Sequence, residues 1–289
     1  MQESKSYKVF KVFNAIFLLL VVFVTLYPFL NVVAQSFSSE SYINSGKVSI
    51  IPRGFNVETY KTISRDSMFW TNYKNTIIYT VVGTLISMFM TTIFAYAISK
   101  KRLMGRKFWT MFAVFTMFFS GGLIPNYVLI NSLGMNNTMW ALVVPGAISI
   151  YNMLIMKSFF ENMPEELEEA AAIDGLNTYG ILLRIILPLS KAVMATMVLF
   201  YAVGHWNSWF PAFLYLDKKE LFPVTIYLRN MIAGATGGAS AGASADNLTQ
   251  ISANIKSVTM VLTILPILTI YPFVQRYFVT GIMLGSVKQ

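Results

Sequence analysis

Six apolar runs, each close to the length of a bilayer crossing, divide this 289-residue chain. They cover roughly 13–34, 75–98, 108–130, 138–157, 191–214 and 257–276. A helix rises about 1.5 Å per residue, so some ~20 residues carry it across the ~30 Å hydrocarbon layer. No water in that layer bonds a free backbone amide, so a spanning segment must satisfy its own peptide groups. Composition agrees: 55% of residues are hydrophobic and only 12% charged, against about 25% charged in soluble domains. The expected class is all-α, a polytopic membrane protein with about six transmembrane helices.

The first run follows Lys5, Lys8 and Lys11, and Val32-Val33-Ala34 loosely resembles a cleavage site. A signal-peptide core is about 7–15 residues, and this run is longer, so it reads as a retained anchor. The net charge of +9 would suggest nucleic acid in a soluble protein. Here the cations sit between apolar runs and read as topology markers, and no nucleic-acid partner is expected. Lys100, Lys101, Arg102, Arg106 and Lys107 crowd one short loop, which with the lysine-bearing N-terminus reads as cytoplasmic. The expected division is a cytoplasmic N-terminus at 1–12, a first span at 13–34, an external loop at 35–74, a core at 75–277, and a cytoplasmic tail at 278–289. Loop 158–190 then falls inside and loop 215–256 outside. Helix breakers interrupt several runs, among them Pro145-Gly146, Gly204, Pro211, Pro266 and Pro272. They read either as ordinary kinks or as bends that widen a central cavity.

Several chemistries are excluded. There is no Cys and one His, so thiol catalysis is absent, and His205 has no carboxylate near it in sequence to complete a metal site. No cofactor and no metal are expected. No Asp, Glu, Lys or Arg lies well inside a run, whereas ion-driven carriers usually need such a group. No phosphate-binding G-x-x-x-x-G-K-[ST] loop is present, so an ATPase, if one is involved, is a separate subunit. Gly238-Ala239-Ser240-Ala241-Gly242 matches G-x-S-x-G, but in a Gly/Ala/Ser run without the strand–turn–helix context of a nucleophile elbow. The chain is not expected to be an enzyme, and no catalytic residue is assigned.

Segment 161–190 concentrates acid in an otherwise basic protein. Pro164 suits the first position of a helix, and Glu165 and Glu166 suit its first turn, where the helix dipole favours anions. Ala170, Ala171 and Ala172 favour helix with little bulk, and Gly175 can adopt the left-handed conformation that ends it. A second helix is expected from about Asn177, with Pro188 bending its exit. Such a helix–turn–helix offers acid and a slim surface to a partner, or is a solvated acidic loop.

Glu169-Ala170-Ala171-Ala172-Ile173-Asp174-Gly175, followed after nine residues by Ile185-x-Leu187-Pro188, resembles the EAA loop. That loop marks the membrane subunits of binding-protein-dependent ABC importers. The resemblance runs over nearly the whole chain. Gly121-Gly122-Leu123-Ile124-Pro125, Trp206-Asn207 before Pro211, and Gly281-Ile282-Met283-Leu284-Gly285 are similar to the carbohydrate branch, MalG-like permeases of the complex-oligosaccharide or aldouronate type. The closing Gln289 departs from the Gly found in many of them. The resemblance implies the type I importer permease fold in a bacterial cell membrane. It implies an assembly of two permeases, two ATP-binding cassette subunits, an external solute-binding protein and a sugar or oligosaccharide cargo. Glu169, Ala170, Ala171, Ala172, Asp174, Gly175, Leu187 and Pro188 would couple to the ATPase.

The stretch His205-Trp206-Asn207-Ser208-Trp209-Phe210 lies in the outer half of the fifth run. Aromatic faces stack on sugar C–H faces and an amide bonds hydroxyls, so His205, Trp206, Asn207 and Trp209 are candidates for the sugar path. An interfacial aromatic belt is the other reading, and His205 could instead bond a neighbouring helix's backbone. The Ala233–Ala245 stretch, with Gly234, Gly237, Gly238, Ser240 and Gly242, reads as a flexible spacer or, by the resemblance, as an arm entering the binding protein's cleft.

Overall fold

A computed structural model describes residues 4–237 and 253–286. These are helical, with no strand among them. In chain order the helices are α1 (Lys5–Ser36), α2 (Glu40–Asn44), α3 (Glu58–Arg65), α4 (Ser67–Ser99), α5 (Arg106–Phe118), α6 (Leu123–Ser132), α7 (Trp140–Val143) and α8 (Ile150–Glu161). There follow α9 (Glu165–Ile173), α10 (Thr178–Ile181), a π-helical turn at Leu182–Ile186, α11 (Leu187–Leu189), α12 (Lys191–Asn207) and α13 (Phe210–Tyr215). A short 3-10 turn at Lys219–Leu221 leads to α14 (Val224–Gly237), and α15 (Ala253–Ser286) closes the chain.

The all-α expectation holds, while several expected spans are broken. Among the described residues, α1 and α4 are the single helices long and apolar enough to cross a bilayer, and the number rises to as many as four when two bent pairs each count as one crossing. The 108–130 run is α5 and α6, set at 110° to one another. Gly122 takes φ +89° at that corner, which a Cβ would oppose, and Pro125 follows in the first turn of α6. The 191–214 run stops at Asn207, passes through Ser208-Trp209 and resumes as α13 with Pro211 in its first turn. The 138–157 run is split between α7 and α8 by Val144–Ser149, where Pro145-Gly146 sits. The loop expected at 35–74 contains α2, α3 and the first turns of α4.

The residues fall into two compact units, 1–69 with 227–265, and 70–226 with 266–289. In the first, polar side chains tie down the C-terminal end of α1. The Asn31 amide donates to the carbonyls of Val48 (3.2 Å) and Ser49 (2.8 Å), and Gln35 donates to Asn31 Oδ1 at 2.7 Å. Asn254 donates to the carbonyls of Gln35 and Ser38, and Ser257 Oγ to Gln35 Oε1 at 3.2 Å. Phe37 stacks against Phe55 and Tyr60, and Tyr227 donates to Asp66 Oδ2 at 2.6 Å. Burial, then that carboxylate, raise the Tyr227 phenol above its ordinary pKa.

The second unit holds the larger core. Met88, Ala95 and Ile98 of α4 pack with Met153, Met156 and Phe160 of α8, and with Val193, Met197 and Tyr201 of α12. Ala171 of α9 and Ile181 of α10 join the same cluster. One face of α4 is small and polar. Thr76, Ser87 and Thr91 are buried, and Gly83 lies between the first two. Such faces let membrane helices approach closely and bond across the gap. Thr91 and Tyr201 share a hydrogen bond of 2.6 Å, Ser87 Oγ and His205 Nε2 one of 3.2 Å, and Thr76 accepts from the Val224 amide at 2.7 Å.

Candidate functional site

Two features stand out in the second unit: an acidic helix braced by cations, and a neutral cavity. Pro164 precedes α9 rather than opening it. Its ψ of 128° is extended, and its carbonyl accepts from Leu167. Glu165, Glu166 and Glu168 occupy the first turn, where exposed amides and the helix dipole favour carboxylates. Asp174 caps the other end, and Gly175 follows with φ +85°. Asn177 Oδ1 then accepts from the Gly180 amide at 2.8 Å and starts α10, as its sequence position suggests.

The cations of the α4–α5 loop face this helix. Lys100 pairs with Glu168, and both side chains are four-fifths buried or more. The Lys100 ammonium also lies 4.3 Å from the Tyr96 ring centroid. Lys101 pairs with Glu165 at 2.7 Å in the open, and that hydrogen bond and charge hold the Glu165 carboxyl below its usual pKa. Arg106 and Lys157 both reach Glu161, at 3.3 and 2.7 Å, and Arg102 donates to Thr178 Oγ1 at 3.1 Å. Residues that read as topology markers thus also hold α9. The sequence signal was the opposite charge of two loops that hydropathy alone leaves separate.

Of the EAA residues, Glu169, Ala170, Ala172 and Asp174 are exposed, while Ala171 is buried in the chain's own core. Glu169 and Ala172 border a cavity of about 460 Å³ that the paired ions also line. Leu187 packs against the core and Pro188 is exposed, just before an 86° bend into α12. Ile173, Tyr179 and Leu183 are exposed beside these residues, at 86%, 73% and 62%.

The second feature is a cavity of about 440 Å³ between the α7–α8 connection, α12 and α13. Its lining includes Asn152, Tyr201, Gly204, His205, Ser208 and Tyr215, and carries no Asp, Glu, Lys or Arg. His205 is held by Ser87 and by the Gly83 backbone. A Cβ on Gly83 would fall 2.7 Å from the imidazole. Trp206 does not join this lining. It is 7% exposed and meets Tyr73 edge-on at 5.8 Å. Asn207 is exposed, and Trp209 is 40% exposed with Phe210 and Phe213 against it. Asn152 and Ser208 are lining residues that pattern reading passed over. The one available signal for Asn152 was a lone amide inside Ile150–Met156, an otherwise apolar helical stretch. Gly234 and Gly237 lie in the last turns of α14, so the Gly/Ala/Ser stretch begins as helix. Gly238, Ser240 and Gly242 lie outside the described residues.

A family model described as "binding-protein-dependent transport system inner membrane component" matches residues 3–283. The chain belongs to that family. It is 40% identical over 288 residues to protein LplC of Bacillus subtilis, covering 100% of this chain and 98% of the relative. It is 38% identical over 275 residues to the polygalacturonan/rhamnogalacturonan transport system permease protein YtcP of the same organism, covering 94% and 96%. Among solved structures, a chain of a bacterial ABC transporter involved in import of the acidic polysaccharide alginate superposes with a TM-score of 0.85 at 31% identity, covering 96% of this chain and 99% of that one. The chain therefore has the ABC importer permease fold. It is a multi-pass membrane transport subunit rather than an enzyme.

Proposed function

We propose that this chain is one of two permeases forming the pathway of an ATP-driven importer of sugars or oligosaccharides. Two ATPase subunits dock on it and on its partner permease, and an external solute-binding protein delivers the cargo. YtcP is named as a polygalacturonan/rhamnogalacturonan transport system permease, and the superposed chain comes from a transporter involved in import of the acidic polysaccharide alginate, which supports a saccharide cargo. The observation that carries the coupling role is α9, an acidic helix with Glu169, Ala170 and Asp174 on its free side and Glu168 anchored to the end of α4. When the ATPases close on ATP, α9 moves with them and draws on Lys100 at that end. α4 is bonded in turn to α12 through Thr91 and Ser87, and α12 lines the neutral cavity. ATP closure thus shifts the cavity between inward and outward states through contacts that differ between them.

In this reading the N-terminus, the 100–107 loop, the EAA loop and the 278–289 tail face the cytoplasm of a bacterium. The loops at 35–74 and 215–256 face outward, and the chain lies in the cytoplasmic membrane. His205, Asn207 and Trp209 lie along the sugar path, with Trp206 packing behind it. The test is ATP-dependent uptake of oligogalacturonides, arabinooligosaccharides and galactooligosaccharides by the assembled transporter in proteoliposomes. Uptake of one of them that needs both ATP and the binding protein supports the reading. Uptake that proceeds on a proton gradient without ATP sinks it.

A further inference from the structure

The neutral cavity is lined by a buried carboxamide that the fold leaves unused. Asn152 is the third residue of α8, after the Ser149 cap, and is 7% exposed. A carboxamide offers two donors and two acceptor lone pairs. Among the described residues none of these has a partner, since the one hydrogen bond of Asn152 outside the helix ladder is from its backbone amide to Ser149 Oγ, at 3.4 Å. Its amide atoms are not sealed from the surroundings as the Thr80 and Thr84 hydroxyls and Asn254 Oδ1 are, and the residue lines the cavity. Leaving a buried amide unpaired is costly, so an amide that opens on a cavity takes its partner from what fills that cavity, water or a passing ligand.

The start of α8 is also held rigidly. The Tyr201 hydroxyl accepts from the Ser149 amide at 3.1 Å and is bonded to Thr91 at 2.6 Å. That fixes the end of α8 that carries Asn152 before any ligand arrives, which lowers the ordering cost of binding. Ser208, half-buried on the same lining, also has a hydroxyl with no partner among the described residues. With no cation in the lining, a carboxylate here would lose its hydration with nothing to replace it.

We infer that Asn152, with Ser208, forms a hydroxyl-binding subsite that takes an uncharged edge of a sugar ring during passage. This rests on the reading of the chain as a saccharide permease. The assay is initial uptake by the complete transporter, with the three oligosaccharide classes as probes and KM and maximal rate measured for each one that wild type imports. Asn152→Leu removes an unpartnered buried amide, so the thermal stability of the assembly stays equal or rises and basal ATP hydrolysis persists. The expected result is a KM raised tenfold or more, with partial recovery in Asn152→Gln, which keeps the amide. A wild-type KM in a folded Asn152→Leu transporter overturns the inference alone. Loss of assembly in Asn152→Leu also overturns it, by making Asn152 a packing residue. If wild type imports none of the probes with ATP, the saccharide reading itself fails and this inference falls with it.

Discussion

Glu168→Gln tests the mechanical link between α9 and the membrane helices. The substitution keeps the shape and removes the charge that holds Lys100. Exposed pairs contribute about 0–1 kcal/mol and fully buried ones lose about 3–5 kcal/mol when one partner is removed. Lys100 and Glu168 retain 15% and 19% side-chain exposure, so the pair lies nearer the buried limit, and about 2–3 kcal/mol of local stability should go. Glutamine still accepts a hydrogen bond, which places the loss at the lower end. The Tyr96 ring remains beside Lys100 and keeps its ammonium partly compensated. The expected phenotype is an inserted, assembled transporter in which ATP hydrolysis persists while uptake per ATP falls several-fold. The assay is parallel measurement of both rates in proteoliposomes. Lys100→Glu with Glu168→Lys should recover part of the coupling, and a double-mutant cycle isolates the pair. Glu165→Gln is the comparison, because its pair with Lys101 is largely exposed and should matter little. Unchanged coupling in Glu168→Gln, or an equal loss in Glu165→Gln, would refute the idea that Lys100 transmits the motion of α9.

Gly83→Ala places a methyl 2.7 Å from the His205 ring, and overpacking of this kind costs about 1–3 kcal/mol, read as a lower melting temperature of the purified assembly. Gly204→Ala, with open space at its Cβ position, should not lower it. Gly175→Ala meets no atom within 4 Å but must hold φ +85°, so it should cost about 1 kcal/mol through backbone strain alone. Gly175→Leu should add a block to ATPase docking, seen as lost co-purification, and equal co-purification of the two variants would argue against contact there. Deleting 234–245 should leave insertion and ATPase binding intact and slow uptake, whereas full uptake by the deletion favours a plain spacer.

The membrane class, the helical fold and the family were legible because they rest on features that sequence states directly. Apolar run length is one, and the two EAA blocks at fixed spacing are another. The breaks within the runs were signalled by Gly121-Gly122, Pro145-Gly146 and Pro211, but a breaker does not reveal its angle. The 110° corner before α6 is set by Gly122 and by what surrounds it. The site was less legible. Ala171 looks like its neighbours in sequence, yet the helical period turns it into the core while Ala170 and Ala172 stay exposed. A bulky residue at Ala171 would therefore act through packing within this chain. Trp206 reads as a stacking platform, but it is buried against Tyr73 and stays out of the neutral cavity's lining. Asn152 became visible only when its missing partner could be observed.

Contact between α9 and an ATPase is the central claim, and a native sequence without cysteine makes it directly measurable. Single cysteines at Ala170 and at Tyr7, near the same expected side of the membrane, would be labelled in the assembled complex with a short maleimide–aryl azide reagent, whose photolysed azide inserts into any adjacent chain without needing a second thiol. Ala170→Cys should yield one covalent adduct with the ATPase subunit and lose uptake on crosslinking, while Tyr7→Cys should yield none. No ATPase adduct from Ala170→Cys in a complex that still imports its sugar would contradict docking on α9.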